Sequence, residues 1–293
     1  WVIQKSIEVE EKWAQKKDGL EKKTKRSRPF LIMDGIFSKS RTLGLLIFIL
    51  PILTINFILF FSQSFEFRYE PVPGNYLNDI KIYNAGDALR DKQDVWVKGY
   101  AIPYIDGATS ISRLGRVFPN NLLFKPIMIL TGFFLILFWK YQRNIFINLK
   151  TKIKEINKVY YFGIATGICL IIHTFFLGIK FDNDFYKFFI RLNLALNVIF
   201  GLLAKFYFIN IIKDLGKVNS YFKNFFFNVQ YYLVYFLLII LFLCIPLLII
   251  EKSKSFILII EWNFFFGIFL FYLLYFFSYR KYHSVIQPPP STL

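Results

Sequence analysis

Residues 256–277 read FILIIEWNFFFGIFLFYLLYFF, an apolar run of 22 residues carrying one charge, Glu261. A continuous apolar run of about 18 residues or more is long enough to cross a bilayer as a helix. A carboxylate inside such a run is costly unless it is paired or used, so Glu261 is a candidate for function or for a buried contact. The reading of this stretch as a membrane span decides the fold class.

The rest of the chain agrees with that reading. Of 293 residues, 56% are hydrophobic and 38 are Phe, more apolar surface than a soluble core of this length buries. Five further apolar runs complete a set of six spans: 43–61 (with Pro51 at its middle), 122–139, 160–179, 188–208 and 225–250. The expected fold is therefore an all-α integral membrane protein. It is a six-helix transmembrane bundle with a small lumenal or extracellular cap, residues 62–121, between spans one and two. The membrane domain covers 43–279. A basic cytosolic arm, 1–42, precedes it and a short cytosolic tail, 280–293, follows.

Within the cap, YLNDIKIYN and DVWVKGYAIPYI alternate polar and apolar residues between turn formers, which predicts short strands and turns. The arm begins as an amphipathic pattern through Val2, Ile3, Ile7, Trp13 and Leu20. It continues into KKTKRSR at 22–28, a sequence suited either to an anionic membrane surface or to a solvated tail. Opening at Trp1 rather than Met suggests processing or residues ahead of it. The PPP of the tail reads as a surface-laid end.

The net charge of +17 could suggest nucleic acid, but its distribution says otherwise. One side of the six-span arrangement collects the segments 1–41 (+5), 140–158 (+5), 205–223 (+3) and the tail (+2). The other side collects 62–121 (0), 180–187 (0) and 251–254 (+1). Excess Lys and Arg marks the side that is not translocated. Both termini are therefore expected on the cytosolic side, or the matrix side of a mitochondrial membrane. The charge is a topology signal, and no nucleic-acid partner is implied.

Three ionisable residues fall inside the spans near one depth. Glu261 is seven residues beyond Lys254, His173 seven before Lys180 and Arg191 four beyond Lys187, which places all three roughly 6–11 Å below the outer surface. Asn193, Asn197 and Asn263 lie in the same half. In the functional reading, Glu261 and His173 are the catalytic acid/base pair. Arg191, with Asp106, Asn193 and Asn263, binds a phosphate or carboxylate head group. In the structural reading, an Arg–Glu pair or a hydrogen-bonded His holds helices together, or Arg191 snorkels to head groups. Cys169 and Cys244 lie in apolar runs as small hydrophobes. With two His and two Cys, no metal cluster stands out, and no GxSxG, P-loop or GxGxxG occurs, so no cofactor is implied.

The cap ends in VKGYAIPYIDGATSISRLGRVFPNN, running into span two. This stretch resembles the FRAG/DRAM/Sfk family of six-span membrane proteins. The matching features are Pro103, Tyr104, Ile105, Gly107, Thr109, Ser110 and Pro119, and the Glu261–Trp262 pair early in the last helix. The resemblance covers most of 43–279. The chain departs from the pattern in span four, where Arg191 stands in IRLNLALN and the membrane histidine lies instead on span three. The family includes a glycosylphosphatidylinositol (GPI)-anchor lipid-remodelling factor and a lysosomal modulator of autophagy. What the resemblance implies is a lipid-facing role at the outer or lumenal leaflet, membrane lipids as partners, and an endomembrane location (Golgi, endoplasmic reticulum or lysosome). The mitochondrial inner membrane and the plasma membrane are the alternatives. Two other functions stay open. One is a non-catalytic subunit of a larger membrane complex, docked through the basic arm. The other is a small-solute transporter, against which the lack of an inverted repeat counts. Whether the protein is an enzyme is left undecided by the sequence.

Overall fold

A computed structural model describes residues 35–64, 81–82, 102–107, 109–116, 119–149, 153–180, 184–218, 220–250 and 254–279. Residues 1–34 of the basic arm, most of the cap, the tail and the Cys244 side chain lie outside the described residues. Six helices are long and apolar enough to cross a membrane. They are α1 (Gly35–Ser64), α4 (Asn120–Asn148), α5 (Ile153–Phe176), α6 (Asp184–Val218), α7 (Phe225–Ile250) and α8 (Lys254–Ser278). Two short helices, α2 (Pro103–Asp106) and α3 (Ile111–Leu114), lie between α1 and α4. The protein is an all-α polytopic membrane bundle.

Each helix presents one stripe to its neighbours and the rest outward. Only 22–44% of each span's apolar window is buried within the protein. The outward faces carry Leu53, Phe57, Phe133, Tyr161, Phe175 and Phe236 among other exposed apolar residues. In water that surface would be an aggregation hazard, whereas in lipid it is the matched solvent.

Close approach between α4 and α5 depends on glycine. The GIATG motif of α5 sets Gly163 and Gly167 one turn apart, opposite Gly132 of α4. A Cβ on Gly167 would stand 2.7 Å from the Gly132 carbonyl oxygen, and one on Gly163 would strike the Trp139 ring. Small residues at four-residue spacing let backbones pack in the absence of a hydrophobic drive between helices. Beyond this pair, α5 packs on α6, α6 on α7, α7 on α8, and α2 on α8.

The helices run past the expected span ends. Residues 140–148, expected as part of a basic loop, continue α4, because Gln142, Ile145 and Phe146 prolong its buried stripe. The helix α6 begins at Asp184 and reaches Val218, a length of 35 residues. At 1.5 Å per residue it is roughly 52 Å long, more than a bilayer core needs. Of the strands expected in the cap, Lys81–Ile82 pairs antiparallel with Ile179–Lys180. This two-residue pair follows the Gly178 turn, whose φ of 84° suits glycine. The second alternating segment lies outside the described residues up to Ala101.

Candidate functional site

The first turns of α8 hold the end of the cap through three consecutive side chains. Glu261 Oε1 accepts the Ile111 backbone N–H at 3.2 Å, and the Ser112 amide also bonds this carboxylate. Trp262 Nε1 donates to the Thr109 carbonyl at 2.7 Å. Asn263 Nδ2 donates to the Tyr104 carbonyl at 2.9 Å. A carboxylate against the first amides of α3 satisfies donors that a helix start leaves unpaired, and the N-cap Ser110 adds a bond to the Arg113 N–H at 3.1 Å.

Ring packing completes the clamp. Tyr104 meets Trp262 edge-on at 5.0 Å, and its hydroxyl accepts from Asn56 of α1 at 3.2 Å. Burial raises the Tyr104 phenol above its ordinary value, with the Asn56 bond acting in the opposite sense. Gly107 ends α2 at φ 60°, the left-handed position where glycine carries no Cβ penalty. At the head of α4, Asn120 Nδ2 donates to Ser62 at 2.7 Å and to the Leu114 carbonyl at 3.3 Å. Residues 102–107 and 109–116 thus form a roof held at both ends.

Under the roof lies a cavity of about 310 Å³. Four helices each contribute one stripe at three- and four-residue spacing. The stripe of α8 is Glu261, Phe264, Phe265, Ile268 and Tyr272; that of α6 is Leu194, Asn197, Val198, Gly201 and Lys205. From α5 come Thr166, Leu170, His173 and Thr174, and from α4 Phe124, Met128 and Leu135. From Glu261 to Tyr272 the wall extends roughly 16 Å along α8. The lining is mostly apolar, with Ser112, Glu261 and His173 near the roof and Lys205 near the far end.

Lys205 is the most anomalous group in the bundle. It is 1% exposed, and its Nζ makes one long bond, 3.4 Å, to the Gly201 carbonyl of its own helix. The ammonium lies 5.0 Å from the Tyr272 ring centroid and 5.6 Å from that of Phe271. Aromatic faces attract a cation without neutralising it. No acidic side chain pairs with Lys205 among the described residues. A lysine inside the bilayer costs about 3 kcal/mol or more, so an unpaired one facing a void is unusual.

The sequence-predicted residues separate into two groups. Glu261, His173 and Asn197 line the cavity. The His173 ring bonds the Ile190 backbone and leaves Nδ1 buried without a partner. Arg191 is exposed on α6, and no ion pair joins it to Glu261 among the described residues. The cations whose charge reaches Glu261 are Arg113 and Arg116 of the roof, and Arg116 also acts on His173. Asn193 is buried but turned to α5, donating to the Cys169 carbonyl at 2.8 Å. Asp106 is exposed and accepts the Ile102 N–H at 2.7 Å. Asn263 is exposed and belongs to the clamp.

Lys205, Arg113, Arg116 and Ser112 were not singled out by sequence. Lys205 counted as the first charge of a basic loop, although its spacing to Leu194, Asn197 and Gly201 continues one helical stripe. Among the described residues, no group of three or more His, Cys, Asp or Glu could hold a metal ion. No family model matches this chain, and no curated protein or solved structure matches it.

Proposed function

We propose that this protein binds a lipid in the cavity beneath the roof, with its head group at the cap end of the bundle. The observation that carries the reading is an apolar cavity inside a membrane bundle with polar groups at both ends. The apolar middle, from Phe124 and Met128 to Ile268, suits an acyl chain. His173 and Ser112 offer hydrogen bonds to a head group near the roof. Lys205 offers a donor to a carbonyl or carboxylate oxygen at the far end. Glu261 acts as a positioning residue here, since its carboxylate holds the roof that closes the site.

The resemblance of residues 97–121 to FRAG/DRAM/Sfk proteins supports the finer reading, a lipid-handling role like that of GPI-anchor remodelling factors or autophagy modulators, in an endomembrane. The complex-subunit reading finds support in the same clamp, because Glu261, Trp262 and Asn263 are all engaged in structural contacts.

Lipids retained by the purified protein distinguish the two. A leucine at Gly201 would intrude between Thr166 and Lys205, whose atoms lie 3.3 and 3.7 Å from where its Cβ would stand. The wild type is expected to carry acyl lipid through gentle detergent purification, and Gly201→Leu to carry about tenfold less. Equal lipid content in a folded variant would overturn the proposal and leave the subunit reading.

A further inference from the structure

A second concavity lies at the opposite end of the bundle, with a volume of about 350 Å³. It forms where α6 ends, a 3₁₀ turn (Ser220–Lys223) reverses the chain, and α7 begins. Its floor is apolar, made by Phe208, Ile212 and Phe227. Its rim is cationic, made by Lys213, Lys217 and Lys223. Lys213 is held over the Tyr231 ring at 4.8 Å with Nζ 3.4 Å from that hydroxyl. Lys217 pairs with Asp214 at 2.7 Å.

The position of this rim matters as much as its charge. The apolar run of α6 ends near Phe208, its helix continues to Val218, and the next span begins at Phe225. The three lysines therefore stand where a bilayer's head groups are. Phe225 and Tyr232 beside them are 72% and 71% exposed, as expected of aromatic anchors at a membrane interface. A soluble anion would need the lysines and not the apolar floor. A phospholipid uses both, its phosphate at the rim and its upper chain on the floor.

We propose that this pocket binds the head group of an anionic phospholipid. The site is independent of the cavity under the roof and shares no residue lining with it.

The test uses the full chain in detergent, titrated with phosphatidylglycerol or phosphatidylcholine and read by native mass spectrometry. The wild type is expected to retain phosphatidylglycerol about tenfold more strongly than phosphatidylcholine. The triple variant K213Q/K217Q/K223Q is expected to lose that preference. If the triple variant does not fold, the single variant Lys223→Glu, on an exposed turn residue, is expected to lower retention about threefold. A control pair, K140Q/K154Q, removes exposed positive charge elsewhere and should leave retention unchanged. Equal retention of both lipids by the wild type would overturn the proposal. So would an equal loss in the control pair, which would mean general charge attraction. Full displacement of phosphatidylglycerol by millimolar inorganic phosphate would overturn it too, by showing a site for a soluble anion.

Discussion

Among the buried polar side chains of the bundle, one set is bonded across helices and another lines a cavity. At the end away from the roof, Gln142 of α4 donates to Ser40 of α1 and to the Tyr275 hydroxyl of α8, and Ser40 and Tyr275 bond each other at 2.8 Å. All three side chains are at 0% exposure, and Gln142 Oε1 is the one atom of the three without a partner. Beneath the roof, Lys205 has a single long bond and His173 Nδ1 has none, and both face empty space. The first cluster fastens three helices and lines neither of the cavities described above. The second fastens little and encloses one. Polar groups bonded across three helices fasten them together, whereas polar groups on a cavity wall are available to what enters it.

The neighbouring clamp lies on the structural side of that contrast and should show the largest effect. Trp262→Ala removes a fully buried ring from between Tyr104 and α8 and leaves the Thr109 carbonyl without its donor. The expected loss is about 3–5 kcal/mol, visible as a lower melting temperature in detergent. It should come with faster proteolysis of residues 102–116. Normal stability with an intact roof would mean that the clamp does not hold it.

Next comes the Gln142–Ser40–Tyr275 cluster. Gln142→Leu leaves Ser40 and Tyr275 bonded only to each other, at an expected cost of about 1–3 kcal/mol by thermal unfolding. Lipid retention at the cavity should be unaffected. A change in retained lipid without a change in stability would reverse the assignment of the two clusters.

The smallest stability effect, and the sharpest test of the contrast, is expected from Lys205→Met. Replacing an unpaired buried ammonium by an apolar side chain of similar length removes a desolvation cost, so stability should hold or rise by about 1 kcal/mol. Retained lipid should fall. A large destabilisation would place Lys205 with Gln142 as a structural group.

How much of this was legible in the sequence differs from element to element. Residues 256–277 could be read as a span because burial in lipid demands a long apolar run. Span lengths were underestimated, since α4 and α6 continue on packing stripes such as Gln142, Ile145 and Phe146 that no longer look apolar in a running average. Glu261 and His173 were found because a charge stands out against an apolar run, and they do share a cavity. Depth alone could not say which face a side chain occupies. Arg191 stands within one helical turn of their depth, yet it lies on the exposed face of α6. Lys205 sat close to other lysines in sequence and was taken for a loop charge.

The six spans follow from the chain's composition alone, because long apolar runs leave few other solutions for the backbone's hydrogen bonds. Only the tertiary structure decided what Glu261 touches. It meets the amides of Ile111 and Ser112, with Arg113 and Arg116 nearby, across 150 residues of chain. Such a contact is set by how helices rotate and stack, and rotation is fixed by packing partners such as the Gly132–Gly167 crossing rather than by the composition of any one helix.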